Sequence, residues 1–254
     1  MAKATIKSPQ EIELMRECCW IVAEVLRILK KFIQPGITTK ELDAMAEEYI
    51  RSQKGEPAFK GYGADPENRF PASLCTSIDD EVVHGIPGSR ALREGEIVSL
   101  DVGVKKNQFF GDGAWTFEVG KISEEKSRLL KRAEESLYKG IAQARAGNRV
   151  HDISAAVQSH VEGGGFSVVR DLVGHGVGRH LHEDPAIPNY GQAGTGTVLQ
   201  RGMTLAIEPM VNLGRYPVRV DRDGWTIRTA DGQPSAHFEH TILVTDTEPE
   251  ILTV

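Results

Sequence analysis

Gly36-Ile37-Thr38-Thr39-Lys40-Glu41-Leu42-Asp43-Ala44 can be laid on Gly147-Asn148-Arg149-Val150-His151-Asp152-Ile153-Ser154-Ala155, and that correspondence decides how the chain is read. Glycine falls on glycine, Glu41 on Asp152, Leu42 on Ile153 and Ala44 on Ala155; further on, Ile50 falls on Val161. The offset is constant at 111 residues, close to half of the 254-residue chain. A turn followed by an amphipathic helix is common, so coincidence is the alternative. The constant offset favours an internal duplication, approximately 8–122 and 123–250, inside a single domain over 1–254. Two α+β halves would pack their sheets together and leave a cleft at the junction, where sites form.

The elements around the repeat support an α+β class. Ser8-Pro9-Gln10-Glu11 is a capping box with proline at the first helical position. Ile12, Met15, Cys19, Val22, Leu26, Leu29 and Ile33 follow at helical spacing, and Gln34-Pro35-Gly36 ends the helix. Thr38-Thr39-Lys40-Glu41 opens a second helix carrying Leu42, Met45, Ala46, Tyr49 and Ile50. Residues 97–104 and 114–119 read as strands, 124–145 and 150–162 as helices, and 166–173, 203–208 and 237–244 as strands again.

Composition excludes several classes. Hydrophobic residues at 40% and charged residues at 26% give a globular balance, and the net charge of -6 lacks the basic footprint of a nucleic-acid binder. No apolar run approaches the roughly 20 residues that cross a bilayer. The N-terminus has no apolar core of a secretory signal. Three cysteines, two of them adjacent (Cys18, Cys19), form no disulfide pattern and suit a reducing cytoplasm.

The chemistry concentrates on acidic residues in apolar strands. In Ile97-Val98-Ser99-Leu100-Asp101-Val102-Gly103-Val104, the two-residue period puts Val98, Leu100, Val102 and Val104 on one face and Asp101 on the other. If Lys106 and Asn107 form the turn to the returning strand Gly111-Asp112-Gly113-Ala114-Trp115-Thr116-Phe117, Asp101 lies directly opposite Asp112. Like charges so placed repel, so something positive must lie between them or one must hold a proton, and a divalent cation removes the conflict. The alternative puts Asp112 in a Gly-Asp-Gly turn and makes Asp101 a backbone cap. Three further residues join them. His175 stands between glycines in Leu172-Val173-Gly174-His175-Gly176-Val177-Gly178, where a lone histidine is more often structural. Glu208 ends the apolar run Met203-Thr204-Leu205-Ala206-Ile207, with Arg219 or Arg222 as the ordinary partner. Glu239 sits inside the strand-like run from Ser235 to Val244, where a plain ion pair is the alternative. Two aspartates, two glutamates and one histidine can hold two hard cations that share carboxylates, a known arrangement for hydrolysis. Oxygen-rich ligation with one imidazole suits Mn²⁺, Fe²⁺, Co²⁺ or Zn²⁺.

From about residue 8 to 250 the chain resembles the type I methionine aminopeptidases in Asp101-Val102-Gly103, Gly111-Asp112, Gly174-His175-Gly176-Val177-Gly178-Arg179, Ile207-Glu208-Pro209 and Phe238-Glu239-His240-Thr241. Cys75-Thr76-Ser77 through Glu81-Val82-Val83-His84-Gly85-Ile86-Pro87 looks like that family's pocket and catalytic-histidine region. The resemblance implies a pita-bread fold: two pseudo-symmetric halves and a central antiparallel sheet flanked by helices. It implies hydrolytic removal of N-terminal methionine from nascent polypeptides whose second residue is small. Asp101, Asp112, His175, Glu208 and Glu239 would hold two divalent metal ions, with Asp112 and Glu239 bridging them, Asp101 on one and His175 with Glu208 on the other. Glu208 would also serve as general base, His182 would stabilise the oxyanion and His84 would contact the scissile amide nitrogen. Cys75, Phe70, Leu181 and Trp225 would line the methionine pocket, though Trp225 could equally be a core residue. A monovalent-cation site could draw on Ser235 and Asp79. A cytoplasmic monomer acting on polypeptide N-termini at the ribosome is expected, with neither nucleic acid nor membrane as a partner. One departure stands out: Ala64-Asp65-Pro66-Glu67-Asn68-Arg69 lengthens the crossing from Gly61-Tyr62-Gly63 to Phe70-Pro71, which the family makes with fewer residues. This polar stretch is expected to loop outward, leaving the role of Tyr62 open.

Rival readings are weaker. Proline-directed peptidases share the fold and ligands but carry a long N-terminal domain, whereas here the first helix begins by residue 8. A dead binding protein or a metal-free amidinohydrolase on this scaffold would have lost ligands. Type II methionine aminopeptidases carry an insertion in the second half, for which the intervals His175–Glu208 and Glu208–Glu239 leave no room.

Overall fold

The computed structural model describes residues 4–254. Four helices, α1 (Pro9–Lys30), α2 (Thr39–Ser52), α3 (Glu124–Ile141) and α4 (Val150–Gly163), occur two before and two after a long hairpin. Between α2 and α3 lie β1 (Glu56–Pro57), β2 (Cys75–Ile78), β3 (Glu81–Val83), β4 (Ile97–Lys106) and β5 (Phe109–Glu118). After α4 come β6 (Ser167–Val168), β7 (Val173–Gly176), β8 (Glu183–Pro188), β9 (Thr204–Ile207) and β10 (Met210–Asn212). The chain ends with β11 (Val218–Val220), β12 (Ile227–Thr229), β13 (Ser235–His237), β14 (Glu239–Leu243) and β15 (Glu250–Ile251).

Both expected capping boxes form. The Ser8 hydroxyl accepts from the Glu11 N–H, and the Glu11 carboxylate accepts from the Ser8 N–H at 2.9 Å. Thr38 and Glu41 repeat the exchange. α1 stops at Lys30, short of Gln34-Pro35-Gly36, because Lys31 and Phe32 donate to Ile28 and Leu29 and tighten the last turn to i→i+3 bonds. α3 likewise ends at Ile141 rather than 145, and the expected run 166–173 divides into β6 and the start of β7. The two stretches laid on each other in the sequence occupy matching stations. Gly36 (φ +99°) donates to the Leu92 carbonyl, and Gly147 (φ +93°) donates to that of Leu199, both in a conformation only glycine adopts without strain. Asp152 accepts from the Arg149 N–H at 2.7 Å, as Glu41 does from Thr38.

All strand pairs of the main nine-stranded sheet are antiparallel, in the order β1-β4-β5-β14-β9-β7-β8, with β15 on β14 and β2 on β4. Strands from the first half of the chain meet strands from the second at the β5–β14 seam. One face carries the helices. Val98, Leu100, Val102 and Val104 pack with residues of α1 and α2, and Leu205, Ile207 and Ile242 with residues of α3 and α4. The opposite face is left for the site. No helix among the described residues is long and apolar enough to cross a membrane.

The hairpin register corrects one expectation. The turn residues are Asn107 and Gln108, both at positive φ, so Asp101 faces Ala114 and Asp112 faces Gly103. The two aspartates are diagonal neighbours rather than direct opposites. A slip of two residues keeps every side chain on its face, so both still point to the same side.

Candidate metal centre

Strand register alone gathers the acidic set. Asp101 pairs with Ala114, and Ala114 with Glu239, so Asp101, Asp112 and Glu239 share a face. Thr241 pairs with Ala206, and Ala206 with His175; by alternation Glu208, two residues beyond Ala206, joins that face along with His175. All five therefore project from the side that the helices leave free. Gly174 and Gly176 permit this at β7, because a Cβ on either would stand 2.4 Å from a carbonyl oxygen of a neighbouring strand, Ala206 or Asp184.

Ligand atoms of Asp112, His175 and Glu239 lie within 4.8 Å of one another, a buried cluster able to hold a metal ion. Glu208 adjoins them, with its carboxylate 3.5 Å from His175 Nε2. The Nδ1–H of His175 donates to the Gly176 carbonyl at 2.9 Å, which leaves the Nε2 lone pair facing the carboxylates, as a ligand requires. Among the described residues no lysine or arginine pairs with any of the four acids; Arg219 reaches Asp221 instead. Buried oxygens of Asp101 (Oδ1) and Glu239 (Oε1) have no hydrogen-bond partner. Such groups are costly unless something positive satisfies them, and the donor set fits divalent cations.

The electrostatics agree. Burial pushes the Glu208 carboxyl up to about 8. Burial, opposed by His237, brings Asp101 to about 7. Burial and mutual repulsion hold Asp112 and Glu239 well above the ordinary carboxylate range. Burial lowers His175 to about 3, so its contacts with Glu208 and Asp112 are polar contacts of a neutral ring rather than ion pairs.

The cluster floors a cavity of about 260 Å³ whose other walls include Phe59, Phe70, Cys75, Leu181, Trp225, His84 and His182. The expected pocket residues Cys75, Phe70, Leu181 and Trp225 thus stand together. Cys75 pairs with Asp101 across β2–β4, and Trp225 meets Phe70 edge to face at 5.3 Å, so it is a cavity wall rather than a core residue. His84 sits at the end of β3 at φ +59°, a strained conformation for a non-glycine residue, and burial lowers it to about 4. The His182 ring meets that of His175 edge-on, with centroids 4.3 Å apart. Asp79 lies beside Ser235, whose N–H donates to the Asp79 carbonyl, but the Asp79 carboxylate is engaged by Lys126 at 2.6 Å.

Sequence reading missed several neighbours. His237, 2% exposed, has both ring nitrogens unpartnered and Nε2 3.6 Å from Glu208. Met210 and Phe59 complete the wall. His237 and Met210 each lie two residues from a ligand candidate, Glu239 and Glu208, so strand alternation would have found them.

The model of metallopeptidase family M24 matches residues 13–246. The chain belongs to this family. It is 53% identical over 247 residues to methionine aminopeptidase 1 of Bacillus subtilis, covering 97% of this chain and 98% of that one. The solved methionine aminopeptidase of Thermotoga maritima superposes with a TM-score of 0.96 at 47% identity, covering 99% of both chains. An Xaa-Pro dipeptidase of Bacillus anthracis matches 98% of this chain and 61% of its own with a TM-score of 0.77 at 21% identity, a likeness of fold alone. The fold is the pita-bread arrangement, and the chain is a metallopeptidase with a buried acid and histidine cluster compatible with metal.

Proposed function

We infer that the chain is a type I methionine aminopeptidase that hydrolyses the bond after an N-terminal methionine when the second residue is small. The observation that carries the reading is the face of five metal-competent side chains, with unpartnered carboxylate oxygens and no lysine or arginine counter-charge among the described residues, opening into an apolar cavity. Asp112 and Glu239 would bridge two divalent cations, Asp101 would complete one site, and His175 with Glu208 the other. Such ions, whether Mn²⁺, Fe²⁺, Co²⁺ or Zn²⁺, supply acidification of water and polarisation of a carbonyl.

The remaining work falls to the chain's own groups. The methionine side chain enters between Phe59, Phe70, Cys75, Leu181 and Trp225, an apolar and polarisable enclosure suited to a thioether. Glu208, as a carboxylate beside the metal site, takes a proton from the attacking water and passes it to the leaving amine. His182 at the cavity mouth stabilises the developing oxyanion, and neutral His84 contacts the scissile nitrogen. An outer groove shares Val173, His175 and His182 with the cavity and continues past Arg179 and Glu183, which offers the rest of the polypeptide a way out.

One chain supplies every wall, so a monomer suffices. Action in the cytoplasm follows from the substrate, since nascent chains carry their first methionine where they are made. The matching stations of Gly36 with Gly147 and Glu41 with Asp152 support duplication of two halves, about 8–122 and 123–250, within one domain.

The test is to strip the protein of metal and assay Met-Ala-Ser and Ala-Pro-Ala, adding each cation back in turn. Metal-dependent release of methionine from the first peptide alone is expected. Cleavage of the second alone would move the chain to proline-directed peptidases, and silence on both with metal bound would leave a binding protein.

A further inference from the structure

The polar stretch 64–69 loops out as expected, yet both of its ends are tied down. Tyr62 donates its N–H to the Phe59 carbonyl at 2.9 Å, and its own carbonyl accepts from the Phe70 N–H at 2.8 Å. At the returning end, the Asn68 carbonyl accepts from the Trp225 indole N–H at 3.1 Å. Gly63 lies so close to the same indole that a Cβ there would stand 3.0 Å from it. The stretch is therefore clipped to the pocket wall on one side, and this holds the Tyr62 ring over His182 with centroids 5.3 Å apart. Tyr62 Oη then lies 2.6 Å from His182 Nδ1, and neither atom has another hydrogen-bond partner among the described residues.

We propose that Tyr62 is a positioning residue whose phenol donates to His182 Nδ1 and thereby keeps the imidazole proton on Nε2, the nitrogen free to serve the reaction. Distance alone allows either direction. A phenol O–H is a much stronger acid than the N–H of a neutral imidazole, so the phenol donates and the bare ring nitrogen accepts. Burial raises the Tyr62 hydroxyl above its ordinary value, so it keeps its proton at neutral pH. A neutral imidazole carries one proton, and with Nδ1 accepting, that proton resides on Nε2. An oxyanion needs a donor pointed at it, and the other tautomer would present a lone pair instead. The inference rests on the reading of His182 as the oxyanion-stabilising group, and it gives the stretch 64–69 a purpose: it fixes one pocket wall and one tautomer together.

The experiment uses the full chain loaded with zinc, which does not broaden spectra. Long-range ¹H–¹⁵N correlation near pH 7.5 should show His182 protonated on Nε2, with its signals assigned by their loss in His182→Ala. In Tyr62→Phe the Nδ1–H form should appear. On Met-Ala-Ser, Tyr62→Phe should lower kcat about 10-fold, water replacing the phenol in part, with KM changed less than about twofold. In a His182→Ala background the same substitution should change kcat by less than about twofold, because a residue acting through His182 has nothing left to act on. An unchanged tautomer in Tyr62→Phe overturns the proposal. So does an equal loss of kcat in both backgrounds, the result expected of a folding or pocket defect. If the wild type releases no methionine, the functional reading falls while the spectra still decide the hydrogen bond.

Discussion

Replacing Glu208 with glutamine should make the metal-free protein more stable at pH 8 than the wild type, and by an amount that shrinks to about 1 kcal/mol at pH 5. Burial raises the Glu208 carboxyl to about 8 in the folded chain, against 4.5 for the ordinary group. At acid pH below the ordinary value the group is protonated in both states and costs nothing. Between the two values the folded chain holds a proton that the unfolded chain releases, so stability falls as pH rises; beyond about 8 the loss levels off. At about 1.4 kcal/mol per pH unit, the interval from pH 5 to pH 8 removes about 4 kcal/mol from the wild type that the variant keeps. For a chain of this size that corresponds to about 10 °C in melting temperature. The assay is thermal unfolding of both proteins after exhaustive chelation, at half-unit steps across this range, followed by titration with Mn²⁺. The curves should lie close together at pH 5 and diverge at pH 8. Added Mn²⁺ should then stabilise the wild type by about 3 kcal/mol at a hundredfold excess over its dissociation constant, and the variant by less. Parallel pH profiles for the two proteins would refute the reasoning, because Glu208 would then not be a carboxyl held protonated by burial.

Other outcomes follow from the same geometry. Asp112→Ala and Glu239→Ala should each abolish metal loading, measured by atomic emission, together with turnover; a fully active Glu239→Ala protein lacking metal would end the two-metal reading. His84→Ala should retain metal while the chemical step slows by about 10²–10⁴-fold in single-turnover kinetics. His240, buried against Trp115 and bonded to Thr253, is lowered to about 4, so the unfolded chain takes up the proton first as pH falls below 6.5. About 2 kcal/mol of stability should be lost between pH 7 and pH 5 on its account, and urea titrations of His240→Phe should show a shallower decline. Thr38→Ala removes the oxygen that accepts from the Glu41 N–H at 3.2 Å and should cost about 1 kcal/mol by the same titration.

The linear sequence by itself determined the elements and their faces. Ser8 with Glu11 and Thr38 with Glu41 begin α1 and α2 where their side chains close the first turn, a local interaction that needs no tertiary partner. The alternation of Val98, Leu100, Val102 and Val104 with Asp101 set which side of β4 would meet helices, because each strand residue turns its side chain opposite to the last. The four acidic candidates were legible because charge inside an apolar strand demands a partner, whereas His175 between its glycines joined them only as part of the set. Tertiary structure decided what depends on chain segments far apart. The turn at Asn107–Gln108, with both residues at positive φ, set the register that made Asp101 and Asp112 diagonal. The β5–β14 seam brought Glu239 beside Asp112, and the Asn68–Trp225 clip carried Tyr62 to His182. These contacts join residues more than a hundred positions apart. Their placement is set by the packing of the whole sheet against its helices, which no local pattern specifies.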